Sequence, residues 1–261
     1  MTSPTLTFVF ATERGTPEPL TEHRTKAAVP FAGKYRVIDF TLANCLHSGL
    51  RQVLVLTQYK SHSLHKHLRD GWSLFNPEVG EFITAVPPQM RAGGGWYAGA
   101  IDALRQNRYL IERSAARTLL LLDGGLVYRM DYAELKRFHL EQQASITCAL
   151  RHAGGDNAAG GVRVQVDAQD RITGIGPAPD EDSGERLDFL APMGVVLIEK
   201  DLLLAELDRL AAAAGDAAGD LAVQLIAPLL AEAGQGICAY RFGGDRGRVT
   251  PDRYWSDLGS T

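Results

Sequence analysis

The sequence predicts an α/β fold with a mostly parallel sheet that is covered by helices on both faces. Three short apolar runs, at residues 6–11, 52–57 and 118–122, are rich in Val, Leu and Thr. Each run is followed by polar or Gly-rich residues and then by apolar residues at helical spacing. Such alternation of strand-like and helix-like segments is typical of parallel sheets whose strands are buried on both faces.

The helices of the first half are predicted from residue spacing and from end signals. Residues 37–48 carry apolar side chains at helical spacing, and Gly49 suits the left-handed position that ends a helix. Residues 100–113 repeat the helical pattern. Asp131 followed by Glu134 predicts a capping box for the helix that comes next.

The second half combines a hairpin with further helices and strands. Residues 161–166 and 171–175 predict a hairpin, and an acidic, Pro-containing loop follows at residues 177–188. The remaining predicted elements are a strand at residues 193–198, helices at 201–214 and 220–232, and a last strand at 237–242.

Composition excludes several classes of protein. A length of 261 residues with 45% hydrophobic content allows one large domain or two small ones. The net charge of −4 provides no basic surface for nucleic acid or an anionic membrane. Cys45, Cys148 and Cys238 show no CxxC spacing, so neither a disulfide framework nor a zinc site is expected. We expect no signal peptide and no membrane span, and a cytoplasmic location.

Several long strings, in order along the chain, resemble one enzyme family. They are FAGKYRVIDF at residues 31–40, LTQYKSHSL at 56–64, GW at 71–72, WYAGAIDA at 96–103, DGGLVYRMDY at 123–132 and YWSDLG at 254–259. Together they are similar to the N-terminal domain of the ADP-glucose pyrophosphorylases (glucose-1-phosphate adenylyltransferases). Chance similarity over so many strings is improbable.

This resemblance implies a Rossmann-like nucleotidyltransferase fold. It implies one domain over residues 1–261, with a nucleotide-binding half at about 1–150 and a sugar-binding half at about 151–261. The family continues into a β-helix of hexapeptide repeats, and no such repeat is visible in this sequence. We therefore expect the β-helix to be absent, and with it the tetramers of the family.

The family reaction implies Mg²⁺ held by two carboxylates. A phosphate oxygen of glucose-1-phosphate attacks the α-phosphorus of ATP, and the metal stabilises the developing charge. Asp257 matches the second metal carboxylate, whereas Gly125 stands where the first one is expected. Asp123 lies two residues earlier and could replace it only through a shifted register or a bridging water. The alternative is that Asp123 merely caps a turn.

The phosphate loop departs from the family pattern. Two of its glycines are replaced by Thr12 and Glu13, which obstruct close approach of the backbone to a polyanion. Arg14, Gly15 and Thr16 are retained, so Arg14 is a candidate catalytic residue and the other two are candidate nucleotide ligands. An ordinary surface loop remains an equal alternative.

Other positions are assigned by the same resemblance. Lys26 matches a lysine that contacts phosphates and is the strongest catalytic candidate, although an isolated lysine is usually only solvated. Gln89, Trp96 and Gly99 are assigned to the nucleotide. Aromatic residues in such positions pack as often as they bind ligands.

The sugar side has lost charged groups. Pro177 and Ala178 stand where the family has a glutamate and a lysine, and Pro192 replaces a serine. Tyr97 and Asp220 are retained as sugar-phosphate candidates, and Asp220 could equally cap a helix.

Three functional hypotheses follow. The first is an impaired or non-catalytic paralogue that binds ligand or acts as a regulatory partner of a full-length catalytic relative in glucan synthesis. The second is an active glucose-1-phosphate adenylyltransferase that uses ATP and Mg²⁺. The third is a nucleotidyltransferase for another sugar phosphate. Changes at the phosphate loop, the metal strand and the sugar loop together favour the first hypothesis.

Overall fold

The computed structural model describes residues 4–12, 19–89, 95–153, 161–178, 189–212, 221–230, 236–244 and 253–257. The strands are β1 (Thr5–Ala11), β2 (Pro30–Phe31), β3 (Tyr35–Arg36), β4 (Gln52–Thr57), β5 (Phe82–Val86), β6 (Thr118–Asp123), β7 (Leu126–Tyr128), β8 (Ile146–Ala153), β9 (Val162–Val166), β10 (Ile172–Pro177), β11 (Phe189–Glu199), β12 (Ile237–Arg241) and β13 (Trp255–Asp257). The α-helices are α1 (Ile38–His47), α2 (His62–Gly71), α3 (Ala100–Gln106), α4 (Arg108–Arg113), α5 (Tyr132–Glu141), α6 (Lys200–Ala212) and α7 (Leu221–Leu229), and short 3-10 helices lie at Lys26–Ala28 and Pro77–Val79.

Nine strands of the described part of the chain form a central sheet. Strand β1 lies between β4 and β6 and is parallel to both, and β5 continues the sheet beside β4 in the same direction. Strand β11 is antiparallel to β6 and β8, and β12 is parallel to β8. The hairpin of β9 and β10 joins the sheet beside β11. The predicted α/β fold with a mostly parallel sheet is therefore confirmed.

Both faces of the sheet are covered. Successive side chains of a strand point to opposite faces, and β1 contributes to two separate cores. Leu6, Phe8 and Phe10 belong to one core, whereas Val9 and Ala11 belong to the other. A strand buried on both faces reads as a continuous apolar run, which is the pattern that predicted β1.

The end of helix α1 follows the prediction. Gly49 has a φ of 72°, in the left-handed region that glycine adopts without steric cost. Its N–H donates to the carbonyl of Leu46 at 3.2 Å, and the N–H of Leu50 donates to Cys45 at 2.9 Å. These two bonds satisfy carbonyls that the helix end would otherwise leave unpaired.

The predicted capping box at helix α5 is half present. The Asp131 side chain accepts from the N–H of Ala133 at 2.9 Å and caps the helix. Glu134 forms an ion pair with Arg137 in the next turn. We expected the Glu134 carboxylate to accept from the N–H of Asp131, but it pairs with Arg137.

The single helix predicted at residues 100–113 is wrong, because the chain breaks there into α3 and α4. Asn107 separates the two helices, with φ −107° and ψ 14°. Its side-chain amide donates to the carbonyl of Ala103 and to the hydroxyl of Tyr97, each at 2.9 Å. A side chain that competes for a helical carbonyl disfavours continuation of the helix.

Strands β5 and β8 were not predicted, and β11 is longer than the strand predicted at residues 193–198. The polar pair Arg151 and His152 interrupts the apolar run of β8. Strand β8 forms because it pairs with β11 on one side and β12 on the other. Helix α7 ends at Leu229, one residue after Pro228, and so is shorter than predicted.

The three cysteines are free and buried. Within the described ranges, no helix is long and apolar enough to cross a membrane.

The turn between β6 and β7 requires glycine at its first position. The N–H of Gly124 donates to the carbonyl of Phe10 at 2.9 Å. A Cβ at residue 124 would lie 2.9 Å from that same oxygen and 3.0 Å from Cγ1 of Val9. The turn therefore sits directly on the end of β1, and no other side chain fits without a backbone shift.

We predict that Gly124→Ala lowers the free energy of unfolding by about 1 to 3 kcal/mol, the usual cost of overpacking. Urea unfolding measures it. Gly95→Ala is the control, because a Cβ at residue 95 meets nothing within 4 Å. Equal stability of the two variants would contradict the tight contact.

Candidate functional site

A cavity of about 760 Å³ opens at the carboxyl ends of three parallel strands. Thr12 follows β1, Gln58 follows β4, and Asp123 ends β6, and all three line the cavity. Pro192 and Gly194 of β11 form part of the opposite wall. Ligands of open α/β sheets bind at this edge, where loops from neighbouring strands converge.

The two motifs that were expected to form the metal site meet in the fold. Strands β7 and β13 pair antiparallel, with Trp255 opposite Tyr128 and Asp257 opposite Leu126. This register places Asp257 next to the turn that follows Asp123. Both carboxylates line the same cavity.

Lys26 also reaches this point. It lies in the short 3-10 helix at Lys26–Ala28, and its side chain is only 8% exposed. Its Nζ forms an ion pair with the carboxylate of Asp257, whose side chain is 33% exposed. The expected phosphate lysine is thus the counter-ion of the expected metal carboxylate.

Asp123 takes part in the turn that it precedes. Its Oδ1 accepts from the N–H of Gly125 at 2.6 Å. That is the turn-capping role that we gave as the alternative to metal binding. The carboxylate nevertheless lines the cavity beside Asp257, so its position serves the turn and borders the site.

A second cation lies behind Asp257. The guanidinium carbon of Arg151 is 3.9 Å from the ring centroid of Trp255, a cation–π contact. Burial lowers the pKa of Arg151, and the nearby Asp257 carboxylate partly offsets this. Its Nε is buried and has no hydrogen-bond partner among the described residues. Sequence reasoning missed Arg151, because the strand that carries it, β8, was not predicted.

Gln58, which follows β4, links the end of β1 to Tyr97. Its amide nitrogen donates to the carbonyl of Thr12 at 2.6 Å, and its Oε1 accepts from the N–H of Tyr97 at 2.7 Å. Sequence reasoning did not single out Gln58, although it follows a buried strand at the ligand-binding edge. Thr12, directly after β1, is therefore bound by a side chain that directly follows β4.

Trp96 and Tyr97, the two aromatic residues expected near the ligands, differ in exposure. Tyr97 is buried, and its hydroxyl accepts from Asn107 at 2.9 Å. Burial raises the pKa of Tyr97, so the hydroxyl stays protonated. Trp96 is 48% exposed and lies edge-on to Tyr59 with 6.2 Å between ring centroids. Trp96 is thus available to a ligand, whereas Tyr97 mainly packs.

The remaining expected site residues are spread more widely. Gly99 lines the cavity at the start of α3. Gln89 is exposed, and its amide donates to the carbonyl of Pro87 at 2.8 Å, away from the cavity lining. Arg14, Gly15, Thr16 and Asp220 lie outside the described residues.

The donor set does not fit a resident Mg²⁺ ion. Mg²⁺ requires near-octahedral oxygen ligands and usually binds one or two carboxylates together with substrate phosphates. Of the two carboxylates here, Asp257 is paired with Lys26 and Asp123 is engaged by Gly125. Among the described residues, no group of three or more His, Cys, Asp or Glu side chains could hold a metal ion.

Comparison with known proteins agrees with this architecture. A family model described as nucleotidyl transferase matches residues 18–261. The chain belongs to the nucleotidyl transferase family. The curated relatives that it matches carry a more specific name.

Glucose-1-phosphate adenylyltransferase 2 of Vibrio cholerae is 48% identical over 248 residues, which cover 93% of this chain and 60% of that relative. The Vibrio vulnificus protein of the same name is 45% identical over 98% of this chain and 63% of its own length. Glucose-1-phosphate adenylyltransferase of Methylococcus capsulatus is 37% identical over the whole chain and 61% of its own length. This nucleotidyl transferase chain thus spans about 60% of the length of these relatives.

We predict that the Lys26–Asp257 pair of this nucleotidyl transferase contributes a coupling free energy of at least about 1 kcal/mol, because the lysine is buried. The measurement is a double-mutant cycle of Lys26→Met and Asp257→Asn in urea unfolding.

The matched control is the exposed Arg241–Asp170 pair, whose side chains are 42% and 36% exposed. Its cycle, with Arg241→Met and Asp170→Asn, should give about 0.2 to 1 kcal/mol. A smaller coupling for Lys26 and Asp257 than for this control would contradict the prediction.

Proposed function

We propose that this domain binds a nucleotide and a sugar phosphate in the cavity, as a catalytically impaired relative of the glucose-1-phosphate adenylyltransferases. The observation that carries the proposal is the meeting of β7 and β13 at the cavity. The site there retains Lys26 and Asp257 but has Gly125 where the family resemblance implies a carboxylate.

Binding is supported by the preserved cleft. Its volume of about 760 Å³ suits a ligand of nucleotide size. Lys26 supplies a buried positive charge, and Trp96 supplies an exposed aromatic surface on which a base can stack. Gln58 links Thr12 to Tyr97, so hydrogen bonds order one wall of the cavity.

Impaired catalysis is supported by the contacts of the side chains that nucleotidyl transfer would require. Transfer of a nucleotidyl group needs the attacking oxygen, the phosphorus and the leaving pyrophosphate in line, with the developing charge stabilised. Here Lys26 is already paired with Asp257, and Asp123 is engaged in the turn. The groups at the reacting position therefore neutralise each other before a ligand arrives.

The sugar side supports the same proposal. Pro177 ends β10 and Ala178 packs beside the small core of Ala153, Phe189 and Ala191. Neither side chain can make the charge-assisted contacts that the family resemblance implies at these positions. Each such contact is worth about 1.5 to 3 kcal/mol, so a sugar phosphate should bind more weakly than in the relatives.

An active glucose-1-phosphate adenylyltransferase is the second candidate, and the 48% identity to a relative with that name favours it. It would make ADP-glucose from ATP and glucose-1-phosphate. It requires the ammonium of Lys26 to leave Asp257 so that Mg²⁺ can bind there, with Asp123 as the other carboxylate. In either candidate, three buried thiols suit a reducing cytoplasm. For the impaired relative, a full-length relative is the proposed catalytic partner.

We predict that the purified protein makes ADP-glucose at least ~10³-fold more slowly than the Vibrio cholerae relative. The factor corresponds to about 4 kcal/mol of lost transition-state stabilisation. Pyrophosphate release and chromatography of ADP-glucose measure it under identical conditions. Turnover near ~10 s⁻¹, an ordinary enzyme rate, would establish the second candidate.

A binding measurement separates an impaired enzyme from a protein without ligand. Calorimetric titration with ATP should show heat that Lys26→Met reduces, because the lysine supplies charge at the cavity. Lys66→Met, which changes an exposed lysine of α2, is the control. Absence of ATP binding in the wild-type protein would overturn the proposed function.

A further inference from the structure

The side chain of Lys26 passes directly over Gly125. A Cβ built at residue 125 would lie 3.0 Å from Cε and 3.1 Å from Cδ of Lys26. Such contacts are tighter than nine in ten real Cβ contacts, so a side chain at residue 125 would shift the Lys26 stem by a few tenths of an ångström. The glycine thus provides the space in which Lys26 reaches Asp257.

We infer that the ammonium of Lys26 takes the place of a divalent cation at Asp257, so that phosphate-bearing ligands bind in this cavity without a metal ion. The part of this inference that concerns ligands rests on the proposed function. The part that concerns the ammonium and Asp257 does not.

The charges around Asp257 support the inference. Lys26 contacts its carboxylate, and Arg151 lies on the ring of Trp255, two residues earlier in the same strand. A divalent cation that approaches Asp257 therefore meets two positive charges close to the carboxylate. Repulsion between charges of like sign is strongest where burial lowers the effective dielectric constant, as it is around Lys26.

The second carboxylate does not offset this repulsion. Oδ1 of Asp123 accepts the N–H of Gly125 at 2.6 Å, and a Cβ at 125 would lie 3.2 Å from the same oxygen. Metal binding would have to detach the ammonium from Asp257 and withdraw Asp123 from its turn. The geometry instead pairs one ammonium with one carboxylate, which leaves the lysine beside the cavity where a phosphate can share it.

The decisive experiment is a titration of the ligand-free protein with Mn²⁺. Binding is measured in electron paramagnetic resonance as the loss of the signal of free Mn²⁺. Mn²⁺ prefers the same oxygen ligands as Mg²⁺. Removal of the ammonium leaves Asp257 without its bound cation. We therefore expect Lys26→Met to bind Mn²⁺ at least ~10-fold more tightly than the wild-type protein, which is about 1.4 kcal/mol.

Three variants complete the test. Lys26→Met combined with Asp257→Asn should lose the gain, and Lys66→Met should behave as the wild type. Lys26→Gln serves if the methionine variant fails to fold by circular dichroism. Wild-type affinity for Mn²⁺ equal to that of the lysine variants, or wild-type binding that Asp257→Asn abolishes, would overturn the inference.

Calorimetry with ATP then tests the consequence for ligands. The affinity of the protein for ATP should be the same within about 2-fold in EDTA and in excess Mg²⁺. The comparison takes into account the fraction of ATP that is complexed with Mg²⁺. A gain of more than ~10-fold with Mg²⁺ that Asp257→Asn removes would refute metal-independent binding. Absence of ATP binding in both buffers would refute the proposed function, and the Mn²⁺ titration would still decide whether Lys26 stands in for a metal.

Discussion

The antiparallel pairing of β7 with β13 brings the end of the described chain back to the centre of the sheet. Its register sets Asp257 beside the turn between β6 and β7, and Trp255 beneath the guanidinium of Arg151. Lys26 joins from a short helix 231 residues away in sequence. This pairing is what brings the Asp257 carboxylate to the cavity and to the buried lysine.

The Lys26–Asp257 ion pair underlies both the coupling predicted for the site and the proposed loss of catalysis. A buried ammonium needs a partner, because an unpaired charge in a region of low dielectric constant is costly. Asp257 meets that need only while it remains bound to the lysine. A site whose charges compensate each other internally can hold a polyanion, but it has less charge to offer a transition state.

Family membership and catalytic capacity depend on different sets of residues here. The nucleotidyl transferase family model matches residues 18–261, and the 48% identity to a named relative extends over 248 residues. Catalysis depends on a few side chains at the edge of the cavity. Gly125 and Ala178 occupy two of the positions where the resemblance implies charged groups, and so few replacements barely change overall identity.

The sequence by itself determined the elements whose signals are local. The apolar runs of β1, β4 and β6 predicted the sheet, and Gly49 and Asp131 predicted two helix ends. Such signals depend on neighbouring residues alone. The motif strings also named Lys26, Asp123 and Asp257 as members of one site. Two other features could be read only from the fold. Strand β8 forms because it pairs with distant strands. Asn107 separates two helices, and its side chain bonds to Tyr97. The tertiary structure alone decided that Lys26 crosses Gly125 to meet Asp257, because contacts between distant residues follow from strand register, which no local pattern encodes.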